Sequence, residues 1–309
     1  MFVQGEIAES SLRYERKDSV AALKVSHVAI VVDGSNERAV DAAHAARDAF
    51  SDSPVATIDT FSSSGTRGRF VRGGPEKPDL ILVFGGDRTL LKAVQGLWQH
   101  QVPFMGVAYG RVGALSNDPE TFSLAALRRG AYRVHSFPLL RFQATDLRDG
   151  VIEGVAVNDI VLRGETQIPG SAHLRIWVNG ERFIDELMGD GFLIATPLGS
   201  TAYNINAGGP VLDPALSVIG TTVITAAAPG MRKRIVHAPT ARIAVEVLRS
   251  ETQRVNLSFD SEAYAGVKNI EAWLEQKGVR LAFRRKMELL PHLERLERRL
   301  AKTPQAPSP

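Results

Sequence analysis

The chain has 309 residues, 44% of them hydrophobic and 23% charged, a balance typical of a folded soluble protein of about two domains. Its 37 basic and 34 acidic residues leave a net charge of only +3, which gives no general attraction to nucleic acid. No cysteine is present, so disulfides, thiolate metal sites and a cysteine nucleophile are excluded. A polar N-terminus and the lack of a run of about 20 apolar residues predict a cytoplasmic protein without a membrane partner.

The first part of the chain alternates buried strands with helices. Residues 28–32, 80–84 and 104–107 are short, nearly continuous apolar runs, and the first two are followed by apolar residues at helical spacing. Such strands, separated by helices, are typical of a parallel sheet covered on both faces. We therefore predict an α/β domain over residues 1–135, with an irregular connection at 51–78.

After about residue 135 the pattern becomes that of a β-rich domain. Apolar and more polar residues alternate over 174–178, and Asn179-Gly180 is a strong hairpin signal. We predict a mostly β domain over residues 136–282. An amphipathic stripe within 283–300 either packs onto the body of the protein, the favoured interpretation, or pairs with another subunit, and 301–309 is predicted to be disordered.

The first candidate site is Gly85-Gly86-Asp87, where a predicted buried strand gives way to a helix opening near Thr89. Open α/β sheets bind ligands outside the carboxyl ends of their strands. Paired glycines allow phosphate oxygens to approach the backbone, and the helix start offers free N–H groups. Asp87 then either accepts a proton from an attacking hydroxyl or holds Mg²⁺, unless it only caps the helix. No Walker A, H-E-x-x-H or G-x-S-x-G motif occurs.

Two further segments suit nucleotide binding. Asn158-Asp159 interrupts a strand-like run, and this pair can bind sugar hydroxyls and base edges, although it is also common in ordinary turns. The segment 190–210 concentrates glycine and hydroxyl residues around Tyr203, whose ring can stack on a base or pack in the core. A purely structural loop is the alternative for this segment.

These three segments, in this order, resemble the NAD kinase family, and the resemblance runs from about Val28 to Phe283. It implies an α/β N-terminal domain with a parallel sheet, a mostly β C-terminal domain, and a final segment that returns to the first domain. It also implies transfer of a phosphoryl group from ATP, or from polyphosphate in some members, to the 2′-hydroxyl of the adenosine ribose of NAD, with Mg²⁺ or another divalent cation. Members are commonly homodimers or homotetramers, which implies a homo-oligomer with NAD and ATP as its small-molecule partners.

The same resemblance assigns roles to individual residues. Asp87 matches the family's proton acceptor. The positions that it implies for nucleotide and dinucleotide binding are Gly85, Gly86, Arg88, Thr89, Lys92, Asn158, Asp159, Asp190, Thr196, Thr201, Ala202, Tyr203, Asn204, Asn206 and Glu262.

Three departures from the family pattern keep alternatives open. Arg88 replaces a glycine, Ala108 replaces an asparagine, and no histidine follows Pro229. If position 88 needs a positive φ, its side chain costs on the order of 1 kcal/mol; otherwise the guanidinium can add to the binding of donor phosphates. The alternatives are a related kinase for another nucleoside or a lipid hydroxyl, and a catalytically weak or silent NAD-binding relative. The segment 196–210 favours a dinucleotide over a lipid, and Asp87 favours an enzyme.

Overall fold

The computed structural model describes residues 23, 25–51, 56–61, 78–110, 113–165, 172–226, 233–284, 289, 292–294 and 296–297, with 56–61 described in backbone only. The strands are β1 (Val28–Asp33), β2 (Ala56–Phe61), β3 (Leu80–Gly85), β4 (Phe104–Ala108), β5 (Arg133–Phe137), β6 (Leu140–Asp146), β7 (Val151–Ala156), β8 (Asp159–Gly164), β9 (Ala172–Val178), β10 (Glu181–Ala195), β11 (Ile219–Ala226), β12 (Arg234–His237), β13 (Arg242–Val247), β14 (Val255–Phe259), β15 (Glu262–Tyr264), β16 (Val267–Leu274) and β17 (Val279–Phe283). The α-helices whose full bounds lie within the described residues are α1 (Glu37–Ala49), α2 (Asp87–Leu97), α3 (Leu124–Arg128) and α4 (Tyr203–Asn206).

The first sheet has the strand order β2-β1-β3-β4-β17-β5 within the described residues. Neighbouring strands are parallel except for β5, which runs antiparallel to β17. Helices α1 and α3 pack on one face of this sheet and α2 packs on the other. Asn36 is the N-cap of helix α1, and its side chain accepts a hydrogen bond from the Ala39 N–H. The predicted α/β domain with a mostly parallel sheet is confirmed.

The second sheet contains eleven strands of the described chain, and it makes the C-terminal part mostly β, as predicted. It curls around its own apolar core, so that Phe142 of β6 and Phe259 of β14 meet with ring centroids 4.7 Å apart. The β9–β10 hairpin turns at Asn179 and Gly180, which both have positive φ, as the sequence predicts. No helix in the described part of the chain is long and apolar enough to cross a bilayer.

The sheets divide the chain differently from the predicted limits. Strand β17 joins the first sheet although its residues read as a continuation of the β domain, because half-buried apolar strands look alike in either sheet. Strand β2 lies within the predicted irregular connection at 51–78. Much of 283–300 and all of 301–309 fall outside the described residues, so the predicted tail stays a prediction.

Helix α2 lies at the junction of the two domains. Its apolar side packs on the first sheet, in one buried cluster with Val155, Val157 and Leu198 of the β-rich domain. The helix that begins at Asp87 therefore shares an apolar cluster with Val157, the residue before Asn158.

Candidate active site

Gly85 and Gly86 differ in how closely other atoms surround the place that a Cβ would take. A Cβ on Gly85 would lie 2.6 Å from Thr89 Oγ1 and 3.1 Å from Asp33 Cβ, so the packing of α2 on the sheet requires glycine there. A Cβ on Gly86 would meet nothing within 4 Å. The backbone at the start of α2 is thus open on the side of Gly86, whereas Thr89 is buried beneath Gly85.

Asp87 is the first residue of α2 and is partly exposed. Its Oδ2 accepts hydrogen bonds from the backbone N–H groups of Ala114 and Leu115, the latter at 3.1 Å, and its Oδ1 accepts one from the Ser116 hydroxyl at 2.7 Å. Gly106 leaves room for Ser116, because a Cβ there would lie 2.5 Å from its hydroxyl oxygen. The N-cap of α2 is Gly86, and no side chain forms a capping hydrogen bond there. Asp87 therefore does not cap the helix. Its carboxylate is instead oriented by the 114–116 segment.

Arg88 and Lys92 place positive charge on α2. Arg88 is exposed in the first turn of the helix and does not have a positive φ, so the strain considered from the sequence does not arise. The side chain of Lys92 is 18% exposed, and its Nζ lies 3.9 Å from Glu262 Oε1 of β15. Glu262, expected to contact ligand, is therefore paired with Lys92 across the domain junction.

The Asn158–Asp159 turn joins β7 to β8, and Asp159 is also the first residue of β8. The Asn158 carbonyl accepts a hydrogen bond from the Thr196 N–H at 2.9 Å, and a Cβ on Gly199 would lie only 1.9 Å from that oxygen. Thr196 is fully buried; its hydroxyl donates to the Val157 carbonyl and accepts from the Gly199 N–H at 3.1 Å. Thr196 thus joins the turn to the following loop and faces inward.

Asp159 is a buried carboxyl group with a perturbed titration. The residue is 7% exposed, and burial raises the pKa of Asp159 to about 7. The negative charge of Asp260 adds to this increase, whereas a hydrogen bond from the Tyr203 backbone N–H opposes it. A carboxyl group that is partly protonated near neutral pH can both donate and accept hydrogen bonds, which suits the hydroxyls of a sugar.

The loop after β10 is held largely by its own side chains. Asn204 is fully buried; its Nδ2 donates to the Pro210 carbonyl at 2.9 Å and its Oδ1 accepts from the Thr222 hydroxyl at 2.6 Å. Its amide is occupied by Pro210 of the loop and Thr222 of β11, and it does not point to open space. Ala202 is partly exposed and Asn206 exposed.

Tyr203 packs against a small apolar cluster on the sheet and remains partly exposed, so its ring packs as one interpretation predicts, and stacking on a base stays a prediction. Thr201 is tied to the C-terminal segment, because its Oγ1 lies 3.1 Å from Nε2 of the buried His292. Asp190 lies far from the Asn158–Asp159 turn of the same chain. Asp159 pairs with Ala195 on β10, and Asp190 lies five residues earlier on that strand, roughly 16 Å away at the usual rise.

The sequence did not identify three residues that contribute to this region, which are Ser116, Asp260 and His292. Each acts on a motif residue that is distant along the chain, the largest separation being 102 residues between Asp260 and Asn158. A polar residue at the end of the 255–259 strand was the only signal for Asp260. Nothing in that signal identifies its partner.

Sequence comparison matches both halves of the chain to known domain families. The profile of the ATP-NAD kinase N-terminal domain matches residues 6–128, and that of the ATP-NAD kinase C-terminal domain matches residues 158–275. The NAD kinase of Hyphomonas neptunium is 33% identical over 204 residues, which cover 66% of this chain and 79% of the relative. The NAD kinase of Paracidovorax citrulli is 34% identical over 204 residues, 64% of this chain and 66% of the relative.

Solved structures share the fold. Yeast NADH kinase in complex with NADH aligns with a TM-score of 0.71 at 19% identity, over 92% of this chain and 89% of that one. An NAD kinase from Archaeoglobus fulgidus in complex with ATP aligns with a TM-score of 0.63 at 22% identity, over 89% and 98%. With both domain profiles matched in order along the chain, the resemblance inferred from the motifs is confirmed, and the chain belongs to the NAD kinase family.

Proposed function

We propose that this protein is an NAD kinase, which transfers a phosphoryl group from ATP to the 2′-hydroxyl of the adenosine ribose of NAD. The observation that carries the proposal is the position of Asp87. Three hydrogen-bond donors orient its carboxylate at the start of α2, and α2 shares an apolar cluster with Val155 and Val157, which precede Asn158. The names of the curated relatives support the same activity.

The donor phosphates bind at the start of α2. Phosphoryl transfer depends mainly on positioning and on neutralising the charge of the transferred group. The open backbone at Gly86 admits phosphate oxygens, and the N–H groups of the first helical turn, with the exposed Arg88, offset their charge. Lys92, one turn further along the helix, adds a second positive charge.

Asp87 serves as the general base. The proton of the ribose 2′-hydroxyl passes to Oδ1, the 2′-oxygen attacks the γ-phosphorus, and the bond to the β-phosphate oxygen breaks to release ADP. The Ser116 hydroxyl that donates to Oδ1 can rotate and accept a hydrogen bond from the new carboxylic acid, because a hydroxyl is both donor and acceptor. The N–H groups of Ala114 and Leu115 keep Oδ2 in place during the transfer.

Mg²⁺ or another divalent cation fits this site as a companion of the donor. Mg²⁺ is usually bound through one or two carboxylates together with substrate phosphates. Among the described residues, no group of three or more acidic or histidine side chains is able to hold a metal by itself. Asp87 provides one carboxylate beside the Gly85–Gly86 turn. The cation would supply charge neutralisation at the β- and γ-phosphates.

The acceptor binds against the Asn158–Asp159 turn. The Asn158 side chain and the carboxyl group of Asp159 offer hydrogen bonds to the adenosine, and Tyr203 offers the exposed part of its ring. Polyphosphate as a second donor and a homodimer or homotetramer as the assembly stay predictions of the family resemblance. Light scattering on the purified chain tests the assembly, and replacing ATP by polyphosphate tests the donor.

The decisive experiment compares wild type with Asp87→Asn in an NADP-forming assay with NAD, ATP and Mg²⁺. We expect the variant to lose at least about 100-fold in kcat while NAD binding, measured by calorimetry, is retained. Asp118→Asn is the matched control, since this carboxylate lies near the same segment and accepts a local N–H bond from Glu120.

Other outcomes point to other functions. Tight NAD binding by wild type without turnover would identify a silent NAD-binding relative. No NAD binding, with phosphorylation of another nucleoside or a lipid, would identify a related kinase. Full activity of Asp87→Asn would remove Asp87 from the chemistry.

A further inference from the structure

Asp260 clamps the Asn158–Asp159 turn from a distant hairpin. It lies between β14 and β15, with a positive φ of 49°, a conformation that non-glycine residues rarely adopt. Its Oδ2 accepts a hydrogen bond from the Val157 N–H at 2.9 Å and its Oδ1 accepts one from the Asn158 N–H at 2.8 Å. Its own N–H donates to the Asp159 carbonyl at 3.1 Å. Three consecutive residues of the turn are thus fixed by one residue.

The carboxylate of Asp260 lies in a place that disfavours charge. The carboxyl group lies deep beneath the turn although part of the residue is exposed, and burial raises the pKa of Asp260 to about 6. The hydrogen bonds from the turn oppose this increase and favour the ionised form. A carboxylate is the side chain that can accept from two successive backbone N–H groups at once, whereas an amide would turn a donor toward one of them. This need explains why a buried charge is placed here.

The same hairpin reaches the helix of the phosphate site. Glu262, two residues after Asp260, lies 3.9 Å from Lys92 on α2. The side chain of Gln95, also on α2, is near enough to the Asp260 carboxyl group to favour its ionised form, but it is outside hydrogen-bonding geometry. One short hairpin therefore contacts both the acceptor turn and the helix that begins at Asp87.

We propose that Asp260 is a positioning residue for the dinucleotide: it fixes the Asn158–Asp159 turn relative to α2, so that the ribose hydroxyl of NAD meets Asp87. This inference rests on the proposed function. Asp260 contacts the turn through backbone groups, so its removal leaves the Asn158 and Asp159 side chains present but misplaced. The loss is therefore expected in the use of NAD and not in the use of ATP.

The test measures KM for NAD and for ATP separately in wild type, Asp260→Asn and Asp260→Ala. Asparagine keeps one acceptor oxygen and alanine keeps none. We expect KM for NAD to rise about tenfold in Asp260→Asn and further in Asp260→Ala, while KM for ATP stays within about twofold. Should the alanine variant fail to fold, the asparagine variant, checked by circular dichroism and thermal melting, carries the test.

Asp146→Asn is the matched control. The Asp146 carboxylate also accepts two backbone N–H bonds, from Arg148 at 2.7 Å and Gly150 at 2.8 Å, but in the hairpin at the opposite end of β7. We expect this variant to leave both KM values unchanged. An inactive wild type would defeat the proposed function itself. An active wild type with an unchanged KM for NAD in Asp260→Asn, or with equal rises in both KM values, would overturn the positioning role alone.

Discussion

Replacing Asp159 by asparagine tests the electrostatics of the acceptor turn. The change removes the titrating group and keeps the shape of the side chain, including an oxygen that can accept the Tyr203 N–H. Burial and the charge of Asp260 raise the pKa of Asp159 from its ordinary 3.8 to about 7. In the wild type, the folded protein therefore holds this proton over a pH interval in which the unfolded chain has already lost it.

Proton linkage gives the direction and the size of the pH-dependent change in the free energy of unfolding. Between about pH 4 and pH 7 the folded state binds more protons than the unfolded state, so the free energy of unfolding falls as the pH rises. A gap of about three pH units, at about 1.4 kcal/mol each, gives a loss of about 4 kcal/mol by pH 8. The asparagine variant does not suffer this loss. We expect it to gain on the wild type by a few kcal/mol between pH 4.5 and pH 8, while NAD turnover falls.

Urea unfolding of the full chain at pH 4.5, 6 and 8, at one ionic strength, measures this difference. Asp185→Asn is the control, because the Asp185 side chain is 80% exposed and its ion pair with Arg182 contributes little to stability. A difference between Asp159→Asn and wild type that is the same at all three pH values would refute the reasoning. So would a variant that loses stability relative to the wild type as the pH rises.

Further predictions concern the glycines and Arg88. Gly85→Ala should destabilise the fold by about 1–3 kcal/mol or more, because its Cβ collides with Thr89, whereas Gly86→Ala should fold normally and raise KM for ATP; thermal melts and initial rates separate the two. Gly199→Ala should not accumulate as folded protein, since its Cβ would overlap the Asn158 carbonyl, and a normal melting curve would contradict this. Arg88→Gly, which restores the family residue, should cost about 1 kcal/mol of stability and raise KM for ATP; an unchanged KM would show that Arg88 does not contact the donor.

Local signals in the sequence identified most of the framework. Continuous apolar runs fixed β1, β3 and β4 as buried strands, and Asn179-Gly180 placed the β9–β10 hairpin within a residue, because turn chemistry is a property of two adjacent residues. The same kind of signal placed the Gly85–Asp87 turn at a strand-to-helix junction. Strand β17 could not be assigned to its sheet, because apolar alternation does not say which strand is the neighbour.

The tertiary structure determines which groups each motif residue contacts. Thr196 and Asn204 lie in the segment that suits nucleotide binding, yet their side chains are buried and hydrogen-bonded to Val157, Pro210 and Thr222 of the protein itself. Sequence composition shows that hydroxyl and amide groups are present, but it does not show whether they face a ligand or a neighbouring carbonyl.

The amino-acid sequence by itself determined the family, the two domain types and the identity of Asp87 and Asn158–Asp159 as candidate site residues. Only the folded chain brought Ser116 to Asp87 and Asp260 to Asn158, and only folding raised the pKa of Asp159. The physical reason is that motif patterns report on a few neighbouring residues. Burial, electrostatic interaction and hydrogen bonding between distant segments depend instead on how the two sheets meet at α2.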